Sequence, residues 1–191
     1  MRIAICGGIG CGKSAVIDYL SKLGYCTCKA DEINAELFHD EKYIRLLVAA
    51  FPDVQLADGS IDKAKLRAQI FEDKSKRYML NSISHPIIKM RIEQIPKDPL
   101  FVEVPLLLEA NMRECFDEII FVQASKRKRL KRLANRAGLT GRMALKIMRS
   151  QKSDKELKAV STIILDNNGT KDELEKNIKE ICDYLFSESK K

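Results

Sequence analysis

The chain has 191 residues and a formal net charge of +7, and its 45% hydrophobic and 32% charged residues are ordinary for one globular domain. No apolar run approaches the roughly 20 residues that cross a bilayer, so the composition excludes a membrane-spanning protein. The start MRIAIC is too short for the apolar core of a signal peptide, and we expect a cytoplasmic protein without a membrane partner.

The N-terminal part of the chain predicts a βαβ unit. Residues 2–6 form an apolar run typical of a buried strand, and residues 13–23 place apolar side chains on one face of a helix. Gly24 suits the end of that helix. Residues 25–29 are typical of a second strand, so strand, glycine loop, helix and strand follow in order.

Further helices and strands alternate along the rest of the chain. Helical patterns cover 31–38, 41–50, 62–71, 75–95, the basic run beginning at 126, 140–152 and 171–185. Strand patterns cover 101–104, 118–124 and 161–166. The strands are apolar throughout, as expected when both faces of a sheet are buried. The sequence therefore predicts an α/β fold with a five-stranded parallel sheet flanked by helices.

The loop GGIGCGKS at 7–14 fits the phosphate-binding pattern G-x-x-x-x-G-K-[ST]. Its glycines let backbone N–H groups turn towards phosphate oxygens, and the following helix adds the positive end of its dipole. Lys13 is expected to reach the β- and γ-phosphates, and the Ser14 hydroxyl to bind Mg²⁺. A chance glycine turn is the alternative, but the strand before the loop and the amphipathic helix after it are the context that the motif requires. The loop predicts binding of a nucleoside triphosphate, with ATP expected.

The basic run at 126–136 holds seven lysines and arginines and no acidic residue. Phosphoryl transfer depends on positioning and charge neutralisation, which a helix of arginines supplies while it excludes water. The guanine-reading motif N-K-x-D is absent from the sequence, and the chain is short for a motor ATPase. Because the run has no interleaved aromatic residues, we do not expect a nucleic-acid partner. These features predict a small-molecule phosphotransferase.

Over residues 2–185 the sequence resembles the dephospho-coenzyme A kinase family. The resemblance rests on an order of motifs: GGIGCGKS at 7–14, KADEI at 29–33, SHPII at 84–88, PLLLE at 105–109 and DNNG at 166–169. The glycine loop is generic, whereas H-P, P-L-L-x-E and D-N-N-G in this order are specific to the family.

The resemblance implies a single P-loop kinase domain of three parts. These are a core (1–30, 99–125 and 159–186), a helical acceptor-binding insert (about 31–98) and a basic helical lid (about 126–152). It also implies Mg²⁺-dependent transfer of the γ-phosphoryl group of ATP to the ribose 3′-hydroxyl of dephospho-coenzyme A, the final step of coenzyme A synthesis. Alternatives are another small-metabolite or nucleotide kinase, or a non-catalytic, nucleotide-gated binding protein. We expect a monomer or a weak homo-oligomer.

Site residues follow from matching the family motifs. The catalytic candidates are Asp31 as general base, Lys13, Arg132 and Arg136. The nucleotide-binding candidates are Gly8, Ile9, Gly10, Cys11, Gly12, Lys13, Ser14, Ala15, Arg132, Arg136, Asn167 and Gly169, with Ser14 also a metal ligand. The acceptor-binding candidates are Asp31, Arg67, His85, Pro105, Leu106 and Glu109. Structural alternatives stay open for several of them, such as a helix N-cap for Asp31 and a buried hydrogen bond for His85.

Four residues depart from the family pattern. Lys29 stands where an acid is usual, and pairing with Asp31 would depress the basicity of that carboxylate. Glu103 replaces an aspartate but keeps a carboxylate that could order a Mg²⁺-bound water. Arg129 replaces a glutamine, and Ala15 replaces a threonine.

Two further expectations concern side-chain environment. The basic residues of 126–136 other than Arg132 and Arg136 are expected to be solvated. The six cysteines and two histidines lack the spacing of a zinc site, and we expect reduced, mostly buried thiols. Cys11 is expected to be a small residue that fits the loop. A reactive thiol is the alternative, because a helix N-terminus lowers the pKa of a cysteine.

Overall fold

The computed structural model describes residues 1–96, 99–134 and 140–187. The chain forms two compact units, one built on a parallel sheet and one made of helices. The first unit comprises Met1–Cys28 and Pro96–Lys191, and the second comprises Lys29–Ile95. Within the described residues, no helix is both long and apolar enough to cross a membrane.

The sheet has five parallel strands in the order β2–β3–β1–β4–β5, which confirms the predicted fold class. The strands are β1 (Arg2–Cys6), β2 (Cys26–Lys29), β3 (Leu100–Glu103), β4 (Glu118–Gln123) and β5 (Ile163–Asp166). In the register of the central strand, Ile5 pairs with Glu103 on one side and with Ile120 on the other. Because the carboxyl ends of parallel strands share one edge, the loops that follow β1, β3 and β5 emerge together.

The helices of the first unit are α1 (Lys13–Lys22), α6 (Lys126–Ala134), α7 (Gly141–Ser150), α8 (Asp154–Val160) and α9 (Lys171–Phe186). Helices α1 and α9 contact each other and bury apolar faces against the sheet. The core includes Ile3 and Ile5 of β1, Leu20 of α1 and Ile178 of α9, each at most 2% exposed. Burial of these side chains supplies the main driving force for the unit and holds the loop after β1 in place.

The second unit contains α2 (Ala30–Leu37), α3 (Glu41–Ala50), α4 (Lys63–Glu72) and α5 (Lys74–Gln94). The long helix α5 packs against the other three. Aspartate side chains cap the N-termini of α3, α4 and α5, as expected for this residue type. In the core, the Tyr43 hydroxyl and the Ser84 Oγ atom are hydrogen-bonded at 2.8 Å.

Most predicted element boundaries agree with the structure to within one residue, but one predicted helix and one structural alternative are wrong. The helix predicted at 140–152 ends at Ser150, and a separate helix, α8, follows it. A capping box in which Ser153 and Glu156 exchange hydrogen bonds starts α8, and seven residues are too few for a clear apolar periodicity. Asp31 is not a helix N-cap, because α2 begins at Ala30 with Lys29 in the capping position.

Candidate active site

The glycine loop joins β1 to α1 at the carboxyl edge of the sheet. Gly10 has a φ of +79° and Gly12 has a φ of +102°, which are left-handed conformations that favour glycine. A Cβ atom on Gly12 would also overlap the side-chain amide of Asn167. The loop therefore has the backbone curvature of an anion cradle, with the N-terminus of α1 beside it.

Lys13 is the first residue of α1, and its side chain folds back across the loop. The Nζ atom donates to the Gly7 carbonyl oxygen at 2.9 Å, and the residue is only 7% exposed. An ammonium has three donors, so this bond leaves capacity for phosphate oxygens. The ammonium therefore lies against the loop, and its contact with the phosphates stays a prediction.

Ser14 and Glu103 bring two oxygen ligands together beside the loop. The Ser14 Oγ atom donates to Glu103 Oε1 at 3.3 Å, and Glu103 is 8% exposed at the end of β3. Among the described residues there is no group of three or more His, Cys, Asp or Glu side chains that could hold a metal by itself. The pair has the chemistry of a site that shares a hard cation with phosphate oxygens.

Arg132 of α6 contacts the loop and the residue that follows β5. Its Nη1 atom donates to the carbonyl oxygen of Cys11 at 2.9 Å, and its Nη2 atom donates to the backbone oxygen of Asn167 at 3.0 Å. Asn167 is 5% exposed, and its Nδ2 atom also donates to the Cys11 oxygen, at 2.7 Å. Two elements of the first unit, α6 and the turn after β5, thus donate to one loop carbonyl. Arg136 lies outside the described residues.

The prediction that Arg129 is solvated is wrong. Its Nε atom donates to the carbonyl oxygen of Ile9 at 2.8 Å, and its Nη1 atom donates to Asp154 Oδ1 at 3.2 Å. The residue is only 6% exposed, and a Cβ atom on Gly8 would overlap its guanidinium. The side chain is buried because the loop carbonyl and the Asp154 carboxylate together offset the loss of its hydration.

Gln151, which lies between α7 and α8, also contacts the loop without any sequence motif that predicts it. Its Oε1 atom accepts a hydrogen bond from the Ile9 N–H at 2.8 Å. The next residue, Lys152, donates its backbone N–H to Glu109 Oε1 at 2.7 Å. This connection therefore joins the glycine loop to the segment that contains the P-L-L-x-E motif. A polar residue between two helices gives no sequence signal for such contacts.

Cys11 lies inside the loop and is 1% exposed. Burial raises the pKa of its thiol above the usual value, and the charge of Lys13 only partly opposes this. The six cysteines, which all lie in the described part of the chain, form no disulfide bonds. The environment of Cys11 favours a small packing residue over a reactive thiol.

The sequence pattern of one protein family, described as dephospho-CoA kinase, matches residues 1–173. The chain belongs to the dephospho-CoA kinase family. A dephospho-CoA kinase of Mycolicibacterium paratuberculosis is 36% identical over 188 residues, which are 95% of this chain and 46% of that protein. The chain thus spans about half the length of the mycobacterial relatives that it matches. A dephospho-CoA kinase of Shouchella clausii is 33% identical, and the match covers 97% of both chains.

Solved structures share the fold of this chain. The crystal structure of TT1252 from Thermus thermophilus has a TM-score of 0.82 and 28% identity, and the match covers 97% of each chain. Shikimate kinase from Acinetobacter baumannii has a TM-score of 0.58 at 16% identity, with 100% of this chain and 95% of that chain covered. That likeness concerns the fold alone.

Asp31, which was predicted from the sequence KADEI at 29–33, lies at the start of the second unit. Asp31 is exposed in the first turn of α2. Lys29 pairs with Glu32, its Nζ atom lying 3.1 Å from Glu32 Oε1. The role of Asp31 as general base stays a prediction.

The other acceptor-binding predictions divide between the two units. In the second, Arg67 is exposed on α4 and His85 is partly buried on α5, where burial lowers the pKa of the imidazole. In the first, Pro105 is partly buried and Leu106 is 40% exposed. Glu109 accepts the backbone bond described above. Their roles in binding the acceptor stay predictions.

Two of the predicted nucleotide-binding residues lie at the margins of the loop network. Ala15 is exposed in the first turn of α1. Gly169 lies just before the capping box of α9, where a Cβ atom would overlap the Glu173 carboxylate. That carboxylate accepts the Thr170 N–H at 2.6 Å, so Gly169 has a structural reason to be a glycine.

Proposed function

We propose that the chain is a dephospho-CoA kinase, which transfers the γ-phosphoryl group of ATP to the ribose 3′-hydroxyl of dephospho-CoA and releases ADP and CoA. The observation that carries the nucleotide part is the convergence of Lys13 and Arg132 on the glycine loop. Two cations and a cradle of N–H groups are suited to the four negative charges of a nucleoside triphosphate. Family membership supports the choice of acceptor.

Within this proposal the loop binds the β- and γ-phosphates through its N–H groups and the Lys13 ammonium. Arg132 contributes a second positive charge, which the oxygens of Cys11 and Asn167 hold beside the loop. The cations balance the charge that builds up on the bridging oxygen as the γ-phosphoryl group leaves ADP. Arg136 is proposed for the same task on the family motif alone.

Ser14 and Glu103 fit Mg²⁺, a hard cation that takes few protein ligands and keeps several waters. We propose that the Ser14 hydroxyl binds the ion directly and that Glu103 orients one of its waters. A Mg²⁺ ion held there would supply positive charge that neutralises part of the charge on the phosphates. The 3.3 Å hydrogen bond between the two side chains keeps the Ser14 oxygen in place for that role.

Asp31 is proposed to accept the proton of the ribose 3′-hydroxyl as its oxygen bonds to the γ-phosphorus. The bond between that phosphorus and the β,γ-bridging oxygen breaks, and ADP leaves with the electron pair. Arg67, His85, Pro105, Leu106 and Glu109 are proposed to bind the acceptor. His85 would act as a neutral hydrogen-bonding group, because burial lowers its pKa.

We further propose a cytoplasmic location and a monomeric or weakly oligomeric state. Six cysteines without a disulfide bond suit a reducing compartment. Gel filtration with light scattering would test the oligomeric state, and a stable dimer would contradict it.

The test of the proposed function is an ADP-release assay with ATP, Mg²⁺ and dephospho-CoA, with shikimate and nucleoside monophosphates as control acceptors. We expect release that depends on dephospho-CoA, with CoA identified by mass spectrometry. Activity with a control acceptor alone would retain a kinase but contradict the substrate. ATP binding without release in the presence of any acceptor would favour a nucleotide-gated binding protein.

A further inference from the structure

Both polar backbone groups of Ile9 are held by side chains from outside the glycine loop. Arg129 donates to the carbonyl oxygen and Gln151 accepts from the N–H, each at 2.8 Å. The two residues lie 120 and 142 positions away in the chain. One residue near the middle of the loop is therefore fixed by α6 on one side and by the α7–α8 connection on the other.

Arg129 is in turn held by a carboxylate. Asp154, the first residue of α8, accepts from Arg129 Nη1 through both carboxylate oxygens, at 3.2 and 3.4 Å. The Arg129 side chain is 8% exposed and the Asp154 side chain 45% exposed. A guanidinium is costly to bury unless acceptors meet its donors. Gly8 provides the space for this one, since a Cβ atom there would overlap it.

We propose that Arg129 and Gln151 are positioning residues that hold the glycine loop in the conformation that binds the phosphates of ATP, with Asp154 fixing Arg129. We call this arrangement the Ile9 clamp. It rests on the proposed function in one respect, namely that the loop binds ATP. A glycine-rich loop loses much conformational entropy when it is ordered. A loop that the clamp has already ordered loses less conformational entropy when it binds the nucleotide.

The clamp predicts a loss of nucleotide affinity when either side chain is removed. We would measure the Kd for ATP by calorimetry in Arg129→Met, Gln151→Met and the double variant. Each single substitution is expected to raise Kd about tenfold, the effect of losing one hydrogen bond of ordinary strength. Because both side chains hold the same residue, the double variant is expected to raise Kd by less than the product of the two single effects.

Arg127→Met is the matched control, because Arg127 lies on the same helix with an exposed side chain. It removes the same charge and is expected to change Kd by less than about twofold. Steady-state kinetics add a second readout: KM for ATP rises while kcat stays within about threefold. A purely structural defect would instead reduce the fraction of folded, active protein. The apparent kcat would then fall, while the Kd of the folded protein would be unchanged.

An Arg129→Met variant that binds ATP as tightly as Arg127→Met would overturn the proposal. A double variant whose effect equals the product of the single effects would also overturn it. If Arg129→Met does not fold, Asp154→Asn and Gln151→Met replace it in the same test, because both change less buried side chains. An unchanged Kd for ATP in both variants would overturn the clamp. Wild-type protein that binds ATP but does not phosphorylate dephospho-CoA would refute the proposed function alone, because the affinity test needs no acceptor.

Discussion

Arg132 and Asn167 donate hydrogen bonds to the same acceptor, the carbonyl oxygen of Cys11 in the glycine loop, at 2.9 and 2.7 Å. Arg132 Nη2 also donates to Asn167 Oδ1 at 3.1 Å, so the amide of Asn167 is engaged at both of its ends. The asparagine is buried, and its partners come from distant parts of the sequence. Asn167 therefore fixes the arginine against the loop as well as the loop itself.

Replacing Asn167 with alanine should weaken both stability and nucleotide binding. The substitution removes buried hydrogen bonds and leaves Arg132 with fewer acceptors, at a cost of about 1–3 kcal/mol in the free energy of unfolding. We expect KM for ATP to rise about tenfold, because a freed Arg132 is less well positioned. Urea denaturation and ADP-release kinetics measure the two effects.

Asn177→Ala is the control for this prediction. Asn177 lies on α9 and donates one longer bond, 3.3 Å, to the backbone oxygen of Asp166. It is expected to change stability by less than about 0.5 kcal/mol and KM not at all. Equal effects of the two alanine substitutions would contradict the role given to the Asn167 network.

Lys13→Met should separate activity from stability. Loss of the ammonium is expected to lower kcat at least about 100-fold, since the charge of the transferring phosphoryl group loses a nearby cation. Because Lys13 is 7% exposed, methionine also removes a buried charge, so Tm should stay the same or rise. Activity assays and calorimetry of the unfolding transition check the two halves.

Lys22→Met on the same helix is the matched control, because Lys22 is exposed. It should leave kcat unchanged. A fall of several degrees in the Tm of Lys13→Met would show instead that the hydrogen bond from Lys13 to Gly7 is needed for stability. It would contradict the prediction that Lys13 serves activity and not stability.

The sheet and the glycine loop could be predicted from local sequence because their signals are local. Apolar runs specify buried strands, and the pattern G-x-x-x-x-G-K-[ST] specifies the turn and the helix that follows. Gly24 was predicted to end α1, and it has a φ of +88° directly after the last turn. Elements of this kind depend on residues within a few positions of one another.

Arg129 could not be predicted in the same way, because its burial depends on Ile9 and Asp154, which are distant in sequence. A lysine- and arginine-rich helix has the pattern of a solvated face whether or not one guanidinium finds buried acceptors. Gln151 was missed for the same reason. The start of α8 did have a local signal, the capping box at Ser153, although the helix is too short for its apolar periodicity to reveal it.

Asp31→Asn tests the general base. The amide cannot accept the proton of the ribose hydroxyl, so kcat is expected to fall by about 10²–10⁴-fold. The Kd for ATP should be unchanged, because the two roles predicted for Asp31, general base and acceptor binding, do not involve the nucleotide. Glu32→Gln is the control: it removes the neighbouring exposed carboxylate, the partner of Lys29, and should retain kcat. A kcat of Asp31→Asn equal to that of the wild type would show that Asp31 is not the general base.

The cysteines should differ sharply in reactivity. Cys6 and Cys11 are buried, and Cys26 is exposed on the edge strand β2. Alkylation of native protein with iodoacetamide at neutral pH should therefore modify Cys26 and spare the two buried thiols. Mass spectrometry of peptides locates the modification. The labelling rate of Cys11 should be negligible with or without ATP. Rapid labelling that ATP prevents would instead show that Cys11 is a reactive thiol.

Cys6 also makes stability depend on alkaline pH. Burial raises the pKa of its thiol from the usual 9.0 to about 11, outweighing the hydrogen bond between the thiol and the Ser161 hydroxyl, which lowers it. Above pH 9 the unfolded chain releases this proton while the folded chain keeps it. The contribution of Cys6 to the free energy of unfolding is therefore fully present below pH 9 and is lost as the pH rises towards 11. The shift corresponds to about 2–3 kcal/mol.

Cys6→Ala is the variant that isolates this effect, because alanine has no proton to lose. Its free energy of unfolding should start lower than that of the wild type, owing to the small cavity left by the sulfur atom. It should then fall less steeply between pH 9 and 11, so the two curves converge. Urea denaturation across this range gives both curves, with Cys26→Ala as the exposed control. Parallel curves for Cys6→Ala and the wild type would show that the Cys6 thiol ionises in the folded protein as readily as in the unfolded chain.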